Sequence, residues 1–510
     1  MKNILVLNMG MKSIRSIVYS DNGEKLSFAA RPIQTMLNAE CVEQDTNEWW
    51  NCAAEVIKES LIDIGKDSVD YLTVTASSSC LVSINKNVKP LGNCIMVSDR
   101  RAVEEAKEIE NTKSYKRIKD NTGLSSDASL MLPKILWIKK NQTELFEQTY
   151  KFLSPDDYLI AKMTDKFVTD CFNAQKYFYD LKTNAYPEDL LKELGIPLNT
   201  LPEVYMPGKE IGKITESAAL FLGLPIKTRV ILSTYDAICS FFGSGVSEDG
   251  EASDVSGTVT VFRALSTVKD LKSNPNIFIT PYPKKNLNIV GGSNNLGGGL
   301  IEWVKQCYYM NEQYPYEIME KDAREAEIGG NGLVFLPYLL GERAPIWNND
   351  ARGIFFGLER SHTRKEMTRA VFESAGFIDY DMMKAIEQTG VRVNSIRLSG
   401  GLARINLVSQ IKADITGKDI HVLSDFETTA SGAAILSLVG LGCFKSLKEA
   451  SDVFVSVRMV IKPNLQNFEK YQKLYRLYKD IYETSKTLFE ERKEILNNLY
   501  KKHEIRIANM

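Results

Sequence analysis

Three glycine-bearing segments and one isolated carboxylate mark the places where this chain could do chemistry. A protein that holds a phosphate needs backbone N–H groups within close reach of it, which favours glycine in a tight turn between strands or at a helix start. Asn8-Met9-Gly10-Met11-Lys12-Ser13 offers one such turn, Ser256-Gly257-Thr258-Val259-Thr260 a second, and Ser399-Gly400-Gly401 a third. Each alone is a weak sign, because glycine turns are common in hairpins. Their matched placement in two similar halves of the chain is the stronger one. The carboxylate is Asp236, in the run VILSTYDAICSFFGSG, just after an apolar strand and just before an apolar helix. Open α/β sheets present catalytic groups at such strand ends. Aspartate also serves there as a helix N-cap, and the letters leave both readings standing. As a catalyst it would take the proton of a hydroxyl that attacks a phosphoryl group.

These residues need elements to position them, and the hydrophobic pattern supplies an α/β order twice. NILVLNM, IRSIVYS and KLSFAA read as strands, with Asp21-Asn22-Gly23 as a hairpin turn. Trp49, Ala53, Val56, Ile57 and Leu61 recur at helical spacing, and VDYLTVTAS resumes a buried strand. Near Glu251 the order begins again: EASDVSGTVTVFRAL gives two strand-like runs, LNIVGGSNN a third, and LIEWVKQCYY a helix. SIRLSGG, a helix, DIHVLS and the Ala-rich helix after Glu427 follow. The halves join near Gly243 to Gly250, which sets expected domains at 1–246 and 247–460. The charged segment from about Asn464 carries aromatic and Leu residues at helical spacing, so 461–510 reads as an amphipathic helical tail capping the second domain.

Composition narrows the partner. The 510 residues are 44% hydrophobic and 25% charged, and 63 basic against 65 acidic side chains leave a formal net charge of −2. No overall field draws such a chain onto nucleic acid or an anionic membrane. A small molecule is the expected partner, with a homodimer as an open alternative to a monomer. The apolar run Ile4 to Leu7 is too brief for a signal-peptide core, and no later segment is long enough to span a bilayer. The eight cysteines stand singly without metal-finger spacing, and the three histidines are far apart, which suits reduced thiols in the cytoplasm.

GLVFLPYLLGERAPIWNNDARGIFFGL (Gly332 to Leu358) resembles a signature block of the FGGY carbohydrate kinases, the group of xylulokinases, gluconokinases and glycerol kinases. RLSGGLARINLVSQIKADITGKDI resembles the family's second signature, Glu427 with ASGAA resembles a family helix, and VEQDTNEWW, SDRRA, PKILW and SPDDYL fall in the family's order. The resemblance implies two actin-like domains of the ribonuclease H-like (ASKHA) type with ATP in a cleft between them. It also implies ATP-dependent phosphorylation of a ketose, polyol or sugar acid with Mg²⁺. Carried over by position, it makes Asp236 the catalytic base and a sugar contact. Gly10, Met11 and Lys12 become the first phosphate loop, Gly257 and Thr258 the second. Gly298 and Glu302 stand near the ATP phosphates, and Gly400 and Gly401 at adenosine, with Leu402 where a third small residue is frequent. Asp99 and Arg101 remain of a W-x-D-x-R motif whose Trp is Val97 here, with Asp99 a substrate contact. Ser78 and Ser79 occupy the sugar-contacting places where xylulokinases carry Met-His and glycerol kinases Arg-Glu. Asn8 replaces the aspartate near Mg²⁺, leaving a weak hold through water, and Met11 replaces a hydroxyl residue. The alternative function is a catalytically weak, sugar- or nucleotide-binding relative with a regulatory role.

Overall fold

Ile4, Leu5, Val6 and Leu7 are completely buried, because the strand that carries them, β1 (Asn3–Met9), has a paired strand on each side and packing on both faces. The structure is a computed structural model that describes residues 2–38, 40–282 and 286–507. β1 runs antiparallel to β2 (Ser13–Ser20), and β2 antiparallel to β3 (Lys25–Pro32). Asp45 caps α1 (Thr46–Ser60), accepting a hydrogen bond from the Asn47 amide, and Trp49, Ala53, Val56 and Ile57 turn its apolar stripe into the core with Leu5, Leu7 and Met9. On the other side β1 pairs in parallel with β4 (Tyr71–Ala76). The chain then passes through α2 (Met131–Asn141) and α3 (Pro155–Thr164) to β5 (Glu210–Lys213) and β6 (Arg229–Leu232), and ends this sheet with α4 (Asp236–Gly243). The strand order is β5-β6-β4-β1-β2-β3, with β1, β4 and β6 parallel.

A second sheet repeats this plan. β7 (Glu251–Ser256), β8 (Thr260–Ser266), β9 (Phe278–Tyr282) and β10 (Leu287–Ser293) precede the helices α5 (Gly299–Tyr308) and α6 (Arg364–Glu387). β11 (Ser395–Gly400), α7 (Asn406–Thr416) and β12 (Asp419–Leu423) follow. β7, β8 and β10 form an antiparallel meander, while β7, β11 and β12 are parallel, as β1, β4 and β6 are in the first sheet. The strand and helix order expected in the two halves is therefore present in both. The turn after the first strand, at Gly10 in one sheet and Gly257 in the other, occupies the same topological place.

The compact units interleave along the chain. Met1–Ser247, Pro281–Asn286 and Glu427–Ser456 form one compact unit, and Glu248–Thr280, Leu287–Phe426 and Val457–Met510 the other. The segment 427–456, expected in the second domain, belongs to the first unit, because α8 (Thr428–Gly440) lies backbone to backbone on α4. A Cβ added at Gly243 would stand 1.7 Å from the Thr428 carbonyl oxygen, and one at Gly432 1.7 Å from that of Cys239. Two glycines facing each other permit that approach. The chain then returns through β13 (Val457–Ile461) to the second sheet, and α9 (Leu465–Ile507) buries Tyr471, Tyr478, Tyr482 and Phe489 in the second unit's core. The expected amphipathic tail is thus an integral part of that unit.

Candidate active site

In the first unit the carboxyl ends of β1, β4 and β6 bring three segments together. The Ser77 amide, directly after β4, donates to the Met9 carbonyl at the end of β1 (3.1 Å), and the Ser77 hydroxyl donates to Asp236 Oδ2 (3.3 Å). Asp236 is the first residue of α4, and the capping position is occupied by Tyr235. The carboxylate thus stands in the first turn of the helix, where the peptide dipoles favour negative charge. Ser77 was not singled out from the sequence. Nothing in the letters distinguishes it from Ser78 and Ser79 beside it.

Those two serines differ from each other. Ser78 keeps some exposure, whereas Ser79 is buried with φ of 62°, a region that side-chain-bearing residues seldom occupy. Their hydroxyls lie 3.3 Å apart. What fixes this turn is Lys134, on α2 and fully buried, whose ammonium donates to the carbonyls of Ser79 (2.6 Å), Met96 (2.8 Å) and Ser129 (3.0 Å). Burial pulls its pKa down to about 8. The sequence signal was there to find, a lysine inside the apolar run MLPKILWI, but it names no partner.

The first glycine turn is closed by the Gly10 amide on the Ser13 carbonyl (3.0 Å) and held from behind. Gln44, itself buried, donates to the Met11 carbonyl (2.9 Å) and accepts from the Trp49 indole (3.0 Å). Met11 packs toward the core and the Lys12 side chain is exposed. Asn8 is 6% exposed, in register with Thr75 on one side and Arg15 on the other, and no described residue hydrogen-bonds its amide. Arg15 in turn grips both oxygens of Glu427 at 3.1 and 2.9 Å, just ahead of α8. Among the described residues no group of three His, Cys, Asp or Glu side chains is placed to hold a metal ion. The oxygen donors present, the Asp236 carboxylate and the Asn8 amide, suit a Mg²⁺ that arrives on nucleotide phosphates and keeps its waters, and do not suit a resident ion.

Asp99 is held on every side. It was expected to touch substrate, yet it is completely buried and its oxygens are taken: Oδ1 accepts from the Arg101 amide (3.0 Å) and Nε (2.9 Å), Oδ2 from the Val42 amide (2.6 Å) and Arg101 Nη2 (2.8 Å). A carboxylate in that setting positions Arg101, whose guanidinium also pairs with Glu43 (2.6 Å) and lies 4.9 Å from the Trp137 ring.

In the second unit the remaining glycine segments meet. Gly298 donates its amide to the Gly257 carbonyl (2.7 Å), and the amides of Gly297 and Gly299 donate to the Thr258 carbonyl (2.9 and 3.2 Å). Gly400 has φ of 90°, and a Cβ there would stand 2.4 Å from the Ser256 carbonyl oxygen, so only glycine fits. Residues some 40 and 140 positions apart thus form one glycine-walled surface at the start of α5. Leu402, in place of a small residue, is buried in this unit's core. Glu302 is already engaged, by Lys305 (3.1 Å) and by the Tyr316 hydroxyl. Beneath the Gly257 turn lies a buried charge group that the sequence reading missed. Lys412 of α7 contacts Asp254 Oδ2, Asp379 Oδ2 (2.8 Å) and the Ser256 hydroxyl (3.0 Å), and that hydroxyl donates to Asp254 Oδ1 (2.6 Å). Burial, and then the facing Asp254, push the Asp379 carboxyl well above the usual carboxylate range. Burial opposes the charge on Lys412, but the two carboxyls outweigh it and raise its pKa.

Known proteins resemble this chain along its length. The N-terminal domain of the FGGY family of carbohydrate kinases matches residues 3–243 and the C-terminal domain of the same family residues 252–441. The chain is 25% identical over 488 residues to the xylulose kinase of Staphylococcus xylosus, covering 95% of this chain and 100% of that one. It is 28% identical over 505 residues to the glycerol kinase of Fusobacterium nucleatum subsp. nucleatum, covering 95% and 99%. The crystal structure of gluconate kinase from Lactobacillus acidophilus matches with a TM-score of 0.88 at 27% identity, over 96% of this chain and 99% of that one.

Proposed function

This chain belongs to the FGGY family of carbohydrate kinases, with the family's two-domain actin-like fold, and from that premise we propose that Asp236 is the base by which it passes the γ-phosphoryl group of ATP to a hydroxyl of a ketose, polyol or sugar acid. The protein is an ATP-dependent phosphotransferase with a sugar hydroxyl as acceptor. The observation that carries the finer reading is the place of Asp236, in the first turn of a helix at a sheet's carboxyl edge and bonded to the Ser77 hydroxyl.

In this reading the acceptor hydroxyl gives its proton to Asp236 as its oxygen bonds to the γ-phosphorus. The bond from that phosphorus to the bridging oxygen breaks, and ADP leaves. Ser77 orients the carboxylate, while Ser78, the serine with some exposure, touches the sugar and Ser79 shapes the turn beneath it. Lys12 in the first unit and the backbone amides of Gly257 and Thr258 in the second are the phosphate donors, Gly10 and Gly298 close the turns and let the backbone come near, and Gly400 and Gly401 leave room for the adenosine. Mg²⁺ would neutralise phosphate charge, with Asn8 reaching it through a bound water. Glu302 stays on its own helix unless nucleotide displaces Tyr316.

The relatives act on different acceptors, so the sugar must be found by assay. Purified protein with ATP and Mg²⁺, screened for ADP release against ketoses, polyols, aldonates and dihydroxypentanedione, should turn over one class well above the ATPase background. Binding of ATP and a sugar with no turnover of any of them would overturn the kinase assignment in favour of a binding relative.

A further inference from the structure

The nucleotide half of the site rests on a charge group that catalysis does not touch. Lys412, Asp254 and Asp379 are each 0 to 1% exposed, come from α7, β7 and α6, and meet at one ammonium. Removing three ionisable groups from water is costly, and a core of apolar side chains would hold the fold as well. The group therefore invites the question of what it fixes. The answer is in its fourth member. Ser256 is the last residue of β7 and precedes Gly257 directly. Its hydroxyl is bonded to Lys412 (3.0 Å) and Asp254 (2.6 Å) and lies 3.2 Å from the Thr260 hydroxyl, at the far end of the same turn. Its carbonyl is the atom against which Gly400 packs. Lys412 belongs to the helix that follows the Gly400-Gly401 turn, six residues beyond the start of α7.

We propose that Lys412 is the positioning residue of the nucleotide site, tying the Gly257-Thr258 turn through Ser256 to the helix behind Gly400-Gly401, so that both glycine turns hold one fixed spacing for ATP. The proposal rests on the reading of these turns as the ATP surface. An ammonium carried by the helix after one turn and bonded to the residue before the other restrains their spacing, whereas an apolar contact would let them slide. The loop's amides are then already aimed when the nucleotide arrives, and no ordering cost falls on binding. All members of this group belong to the second unit, which carries the nucleotide turns, so the effect belongs to nucleotide affinity.

Two variants test it. Ser256→Ala removes the link from the turn to Lys412 and leaves Lys412 in contact with both carboxyls. It should fold as the wild type does and raise KM for ATP and Kd for a non-hydrolysable ATP analogue about tenfold, the size of one hydrogen bond to a charged group. Lys412→Met should do so more strongly, at some loss of thermal stability. Sugar Kd, and kcat at saturating ATP, should change less than about twofold in Ser256→Ala, a split that general loosening of the fold would not give. A folded Ser256→Ala protein with wild-type KM for ATP overturns the proposal, whatever Lys412→Met does. Failure of the underlying reading looks different: a Gly257→Val protein that binds the ATP analogue as well as the wild type does would show that these turns are not the nucleotide surface.

Discussion

Asp236 and Asn8 sit at the ends of neighbouring parts of one sheet, but differ in what they can offer. Asp236 has a carboxylate and a hydroxyl partner at 3.3 Å. Replacing it by Asn keeps the shape and removes the proton acceptor, so kcat should fall by about 10² to 10⁴ while the Kd of an ATP analogue stays within a factor of about two. A variant that kept most of its turnover would leave Asp236 a structural residue. Asn8 is a buried amide without a described hydrogen-bond partner, and a neutral carbonyl is a poor substitute for a carboxylate toward a hard cation. Asn8→Asp should therefore lower the Mg²⁺ concentration that gives half-maximal rate, by about three- to tenfold, the effect of one modest charge interaction. Superimposable magnesium titrations would remove position 8 from the metal's surroundings. Asp99 differs from both in its surroundings. Its motif suggests substrate contact, and it lies buried with both oxygens bonded to Arg101.

At the scale of elements, α3 and the short strand that follows it, Val168–Asp170, carry three aspartates that the proposed mechanism does not use. Asp156 and Asp170 are bridged by one amide nitrogen, Asn173 Nδ2, at 2.9 and 2.8 Å, and Asp157 is buried beside them. Burial pushes Asp156 up to about 6, and burial together with Asp156 pushes Asp170 up to about 7. A carboxyl whose folded pKa exceeds its unfolded one binds its proton more tightly in the folded state. The stability it contributes is complete below the unfolded value near 4, and is lost as pH rises through the folded values of about 6 and about 7. Urea unfolding of the first unit should therefore become easier from pH 5 to pH 8. Asp170→Asn, which keeps the acceptor oxygen for the Phe172 amide (2.8 Å), should remove about 1.4 kcal/mol per pH unit of that slope, the share of one proton. Equal slopes in the two proteins would show that these carboxyls hold no extra proton.

For the whole molecule, the site residues divide between two compact units, and each ligand should leave its mark on one of them. In hydrogen exchange, a non-hydrolysable ATP analogue should slow the amides of 256–260, 297–301 and 399–402. An accepted sugar should slow 77–81 and 233–237. Exchange unchanged at 297–301 under saturating nucleotide would detach the α5 start from the nucleotide surface. By itself the sequence determined the α/β class, the duplicated order, the strands on which Gly10, Gly257 and Gly400 end, and the strand-to-helix place of Asp236. These are local matters, set by apolar periodicity and by turn residues within a few positions of one another. Tertiary structure alone decided three others. Residues 427–456 return to the first unit because Gly243 and Gly432 allow two helices to touch. Gly257, Gly298 and Gly400 form one surface because strand pairing brings distant segments within 3 Å. Lys134 and Lys412 are anchors because burial leaves an ammonium only the partners that long-range packing supplies, three carbonyls for one and two carboxyls with a serine for the other. A lysine in a sequence carries no record of which of these it will meet.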